Sequence, residues 1–119
     1  VENAKAMGVI LKEGLEEIMD KHPSVGDVRS IGLFSTIELV KDRETKEPLA
    51  PLPGLPSSPE DAQVAPQLTA ALQERGMHCF VKWNHLFPIP PLCISEAELR
   101  DGLQILDEAL EIADALLPG

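Results

Sequence analysis

The sequence predicts an α+β domain, a small antiparallel or mixed sheet with three helices packed on one face. Three observations predict it. Amphipathic runs stand at both ends of the chain, over residues 2–21 and 96–116. Two stretches between them, 25–40 and 77–94, are rich in β-branched and apolar residues, as strands are. A third helical stripe, Leu68, Ala71 and Leu72, separates those stretches. The order is therefore helix, two strands, helix, two strands, helix, which suits one layer of helices on a sheet. At 119 residues the chain is one domain, with no internal repeat.

In the first helix Ala4, Met7, Leu11, Leu15 and Ile18 recur at three- and four-residue steps, and Pro23 ends the run. Val28 to Ile31 and Leu33 to Val40 read as two strands or one bent strand, with a turn at Gly26-Asp27 and a bulge or bend at Gly32. Alternation sends Leu33, Ile37 and Leu39 to one face and Phe34 and Val40 to the other. Glu38 is expected at the surface or beside Arg29. Five prolines in residues 41–59 exclude helix and central strand and predict a long loop. Ser58-Pro59-Glu60-Asp61 has the form of a helix start, with Pro66 as the alternative, and Gly76 is expected in a left-handed C-terminal cap. Met77 to Lys82 and Phe87 to Ile94 are the next strands. Ser95-Glu96-Ala97-Glu98 is a capping box, and the helix it opens buries Leu99, Leu103, Leu106, Leu110, Ile112 and Ala113.

Twenty acids against ten bases give a net charge of −10. Phosphate backbones and anionic membrane surfaces need a basic footprint, so neither nucleic acid nor membrane is an expected partner. No apolar run approaches the ~20 residues of a span, and no signal peptide is apparent at the start. Cys79 and Cys93 lie in apolar runs and read as buried, reduced core residues of a cytoplasmic protein. Neither has a second ligand at metal-binding spacing. Opening at Val1, inside an amphipathic run already in progress, is the pattern expected of an excerpt from a longer protein.

The unusual side chains gather at residues 80–95, FVKWNHLFPIPPLCIS. A polar group, Trp83, Asn84 and His85, follows one strand-like run and precedes another, a common way to present binding groups on a scaffold. A nucleophilic pair of Cys79 or Cys93 with His85 is disfavoured, because both thiols lie in apolar runs. His22, at the end of the first helix, is expected in solvent. No glycine-rich phosphate loop, HExxH, CxxC or GxSxG motif occurs.

Residues 24–48, SVGDVRSIGLFSTIELVKDRETKEP, resemble the stretch of class III aminotransferases that opens the C-terminal part of their small domain. The resemblance lies in Val28-Arg29, Gly32-Leu33, Glu38-Leu39-Val40 and Lys41-Asp42-Arg43. Glu74-Arg75-Gly76 is a second match. A third is Pro90-Pro91-Leu92-Cys93-Ile94-Ser95 followed by Glu96 and Leu99-Arg100-Asp101-Gly102-Leu103. Glu2-Asn3-Ala4 is similar to the helix leading in from the large domain. The matches come in family order over nearly the whole chain. Residues 80–85, FVKWNH, look most like the branch acting on taurine and other ω-amino donors with pyruvate as acceptor.

The resemblance implies a pyridoxal 5'-phosphate-dependent transaminase, homodimeric, taking a small-molecule amino donor and a keto acid acceptor. The cofactor lysine, the aspartate on the pyridine nitrogen and the phosphate groups would belong to a large domain. None of the six lysines here matches that motif, so this fragment alone is expected to be non-catalytic and to contribute no cofactor ligand. Several members hold the substrate carboxylate with an arginine before the Pro-Pro strand. That position falls near Phe80 here, and Lys82 is the nearest cation, a point charge rather than a fork. Lys82, Trp83, Asn84 and His85 are thus the candidate substrate-binding residues. The alternative reading is a free-standing acidic α+β module for binding or protein interaction.

Overall fold

The computed structural model describes residues 2–49, 63–77, 79–82, 84–90 and 94–117. The elements run α1 (Glu2–Lys21), β1 (Val25–Ile31), β2 (Phe34–Leu39), α2 (Val64–Glu74), β3 (Phe80–Lys82), β4 (His85–Phe87) and α3 (Glu96–Ala115). The four strands form an antiparallel sheet in the order β1-β2-β4-β3. α1 packs on β1, α2 on β3, and α3 lies against both helices. The core joins Leu11 and Leu15 of α1, Ile37 and Leu39 of β2, Leu68 and Leu72 of α2, Leu86 of β4 and Leu106 and Leu110 of α3. The predicted α+β class and the helical faces stand, although Leu103 and Ile112 are only half-buried.

Several expectations change in detail, each for a local reason. The first strand begins at Val25, and its irregularity falls at Gly26, between the pairs Val25–Leu39 and Asp27–Glu38. Gly26 is needed there because a Cβ would lie 2.6 Å from the Val40 side chain. Val40 is fully buried, held by its amide to the Ser24 carbonyl at 2.8 Å. Gly32 is instead the hairpin turn, at φ +57°, a left-handed conformation open to glycine at no steric cost. β4 is His85–Phe87 and stops before Pro88, which has no amide to continue the ladder. α2 starts at Val64, so Pro66 sits in its first turn, where a missing amide costs little. The Ser58-Pro59 start and the strand expected at 91–93 lie outside the described residues. Gly76 has φ +88°, and the Ser95–Glu98 capping box forms in both directions.

His22 is the largest departure. It is 2% exposed, not solvated. Its Nδ1 meets Asp114 Oδ2 at 2.5 Å and its Nε2 meets Asp107 Oδ1 at 2.6 Å. Both partners are carboxylates, so the arrangement favours the protonated ring, in which both nitrogens donate. Ser24 donates its hydroxyl and amide to the other Asp114 oxygen, and Lys21 Nζ meets Asp107 at 2.6 Å. The clasp fastens the end of α1 to the last turns of α3. Arg43 completes it by donating to the carbonyls of Met19, His22 and Val25, the His22 carbonyl also accepting the Val25 amide at 3.0 Å.

Burial works against the charged ring, but the hydrogen bonds and charges of Asp114 and Asp107 outweigh it and hold the His22 pKa above its ordinary 6.5. For Asp107 burial also disfavours the charge, and Lys21 and His22 overcome it, keeping the carboxyl below its ordinary 3.8. The raised His22 value contributes stability that is complete below 6.5 and lost as pH rises through the folded value. The depressed Asp107 value contributes stability present above 3.8 and lost as pH falls through its folded value. Urea midpoints should therefore be highest between 3.8 and 6.5 and decline on the alkaline side. His22→Gln should flatten that alkaline decline and cost about 1.5–3 kcal/mol at its start. An unchanged alkaline slope in the variant would refute the clasp.

Candidate functional site

Pairing assigns the side chains of the sheet to two faces. Ser35, Ile37 and Leu39 of β2 and Leu86 of β4 are buried toward the helices. The other face carries Arg29, Ile31, Phe34, Glu38, Lys82, His85 and Phe87, and no described helix lies on it. Across its β3–β4 end, Lys82 pairs with His85, and His85 pairs with Glu38. A cation, an imidazole and a carboxylate thus stand in one row over three strands. His85 Nε2 lies 3.7 Å from Glu38 Oε1, and both side chains are 27% exposed. The ring stacks on Phe87 with centroids 6.1 Å apart. Lys82 is exposed at the edge of the row.

Asn84 belongs to the opposite environment. It is 2% exposed. Its Nδ2 donates to the Leu39 carbonyl at 2.9 Å, and its own carbonyl accepts from the Leu39 amide at 2.7 Å. This double tie fastens the β3–β4 turn to the end of β2, in the interior beneath Lys82 and His85. Asn84 Oδ1 is buried with no hydrogen-bond partner. Of the four predicted site residues, then, Lys82 and His85 share the open face, Asn84 anchors the turn from within, and Trp83 lies outside the described residues. Glu38 and Phe87 join the site without having been predicted. Strand alternation was the signal for them, since Glu38 stands one place from Ile37 and Leu39 of the buried Ser–Ile–Leu pattern and so turns to the other face with its cross-strand partner.

Burial pushes the Cys79 thiol up to about 11, so it is protonated at neutral pH and poorly suited to nucleophilic attack. Arg29 turns to Asp27, at 2.7 Å, rather than to Glu38. Among the described residues no cluster of His, Cys, Asp or Glu could hold a metal ion. No described helix is long and apolar enough to cross a membrane.

The family profile for aminotransferase class-III matches residues 1–110. The chain belongs to the class III aminotransferases. It is 36% identical over 116 residues to the taurine–pyruvate aminotransferase of Bilophila wadsworthia, covering 92% of this chain and 23% of that one. It is 31% identical over 116 residues to the 4-aminobutyrate aminotransferase of Escherichia coli, covering 95% and 24%. Among solved structures, the taurine:2-oxoglutarate aminotransferase of Bifidobacterium kashiwanohense, in complex with PLP and glutamate, superposes with a TM-score of 0.85 at 38% identity. That match covers 98% of this chain and 25% of the other. The chain therefore spans about a quarter of the length of these class III relatives.

A pyridoxal site needs a lysine facing an enclosed, anion-binding pocket. The described lysines do not supply one. Lys5, Lys12, Lys21, Lys46 and Lys82 are exposed, with Lys21 on Asp107 and Lys46 donating to the Gly26 carbonyl at 2.9 Å. Lys41 is half-buried in the turn after β2, where its amide donates to the Glu47 carbonyl at 2.7 Å.

Asn84→Ala should cost about 0.5–1.5 kcal/mol in chemical denaturation, because the buried Leu39 carbonyl loses the Asn84 amide and keeps the Leu49 amide at 3.2 Å. Asn84→Asp should cost more, since it adds a charge in the interior. Equal stability of all three proteins would refute the anchoring role.

Proposed function

We propose that this chain is the C-terminal small domain of a longer pyridoxal 5'-phosphate-dependent transaminase. The full enzyme moves an amino group from an ω-amino acid or amine donor to an α-keto acid such as pyruvate. It works in the cytoplasm as a homodimer. The observation that carries this reading is the match of nearly the whole chain to a quarter of a taurine:2-oxoglutarate aminotransferase, at 38% identity. The taurine–pyruvate relative supports the ω-amino branch. The cofactor, held by the rest of the polypeptide, supplies the electron sink of transamination.

This chain's own contribution is to the substrate side of the cleft. Lys82 offers a point charge for the carboxylate or sulfonate tail of the donor. His85, steadied by Glu38 and stacked on Phe87, gives a polar edge beside it. Trp83, next to Lys82 in sequence, is a further candidate contact, and Asn84 keeps the turn at fixed height through Leu39. Such positioning acts through binding, so its loss belongs mainly to KM.

The first test is the intact mass of the protein made in its own source. A mass several times 12.9 kDa is expected, together with pyridoxal phosphate and transaminase activity in the purified protein. A native mass near 12.9 kDa would overturn the reading in favour of a free-standing module. In the longer enzyme, Lys82→Gln should raise KM for an anionic donor about tenfold, or ~1.4 kcal/mol, with little change in kcat. The same KM in both proteins would remove Lys82 from the site.

A further inference from the structure

The register joins one side chain from each strand into a single row across the open face. Asp27 of β1 pairs with Glu38 of β2, Glu38 with His85 of β4, and His85 with Lys82 of β3. Charge therefore changes sign along the row, from acids on β1 and β2 to a cation on β3. The two acids are not alike. Arg29 donates to Asp27 at 2.7 Å, so that carboxylate is matched within its own strand. Glu38 has a longer contact, His85 Nε2 at 3.7 Å, which lies beyond hydrogen-bond reach. Its charge is offset only in part. Arg29 acts on it from β1 at longer range, and Lys82 stands on the far side of His85. The backbone on either side of Glu38 is fixed, because Ile37 and Leu39 are fully buried.

We propose that Glu38 is a specificity-determining residue of the transaminase: it makes the tail site take a singly charged sulfonate or carboxylate and turn away a doubly charged phosphonate or phosphate. The inference rests on the small-domain reading above and says which tail chemistry its substrate side accepts. One tail anion on Lys82 is balanced by one ammonium. A second negative charge finds no equal partner in the row. Arg29 is engaged with Asp27, and His85 is shared with Glu38. The surplus charge meets the Glu38 carboxylate instead. Neighbouring strands lie about 4.8 Å apart, so an anion held over β3 and β4 is roughly 5–10 Å from Glu38. At a partly dry surface, like charges at that range repel strongly enough to change affinity several-fold. Shape does not make this distinction. Sulfonate and phosphonate are both tetrahedral groups with three oxygens. A phosphonate, like a phosphate monoester, carries close to about two charges at neutral pH.

The test uses the full-length polypeptide carrying pyridoxal phosphate, with taurine and 2-aminoethylphosphonate as donors. The two differ only in the acid at the tail. The wild-type enzyme should favour taurine by at least about tenfold in kcat/KM. Glu38→Gln removes the charge and keeps the shape, and should narrow that preference about fivefold. Glu38→Asp keeps the charge and should retain most of the preference. Circular dichroism identifies any variant that fails to fold, and the wild-type ratio tests the proposal without either variant. Equal use of both donors by the wild type would overturn the proposal while leaving the transaminase reading intact. So would a Glu38→Gln enzyme that changes both donors alike, or a pyridoxal enzyme that turns over neither. Glu38→Asp matching Glu38→Gln would overturn it in favour of shape. A purified polypeptide without pyridoxal phosphate, judged by its absorbance, would overturn the transaminase reading and the proposal with it.

Discussion

The described helices seal one face of the four-stranded sheet, and most else about the fold follows from that. Ile37, Leu39 and Leu86 are enclosed by Leu11, Leu15, Leu68, Leu72, Leu106 and Leu110 on the helical side. The same strict alternation that buries them turns Phe34, Glu38, His85 and Phe87 the other way. A one-residue slip in register would exchange the two sets and lose core and open face together. Register is fixed from both ends, by the left-handed Gly32 turn and by the tie from Asn84 to Leu39.

The second requirement is to join chain segments far apart in sequence. α1 and α3 are the first and last elements, and charge rather than apolar area clasps their ends. His22 between two carboxylates, Lys21 on Asp107 and Arg43 on three carbonyls place cations where helix ends and acids leave negative charge. In a chain so rich in acids, this puts several of the few bases where they act on structure. The large apolar core and the small charged clasp then divide the work: the first supplies most of the driving force, the second orients the helices.

Periodic signals were legible and contact-dependent ones were not. The 3.6-residue stripe of α1, the Ser95–Glu98 capping box and the left-handed Gly76 follow from local chemistry and can be read residue by residue. His22 cannot, because its partners Asp107 and Asp114 stand 85 and 92 positions away. A histidine after an amphipathic helix ordinarily faces water. Gly26 and Gly32 exchanged roles for the same reason. Which of them is the turn depends on where Val40 packs, and only the folded sheet decides that. At the candidate site, the cluster at 82–85 was legible from its concentration of polar and aromatic groups. Its division into a pair on the open face and a buried anchor was not, since it depends on how the turn at Asn84 meets the end of β2. The family likeness was legible because it rests on motif order, which survives where single contacts do not.

The shortness of the β3–β4 turn also bears on how this edge can change over generations. Binding loops often diversify by growing or shrinking, because a flexible connection absorbs inserted residues. Here two residues join strands whose ends are pinned by Asn84 to the Leu39 backbone. An insertion would break that tie and the three-residue ladder beside it. Descent with altered substrate preference at this edge must therefore proceed by replacing side chains at Lys82 and His85, one codon at a time, on a backbone that stays the same length.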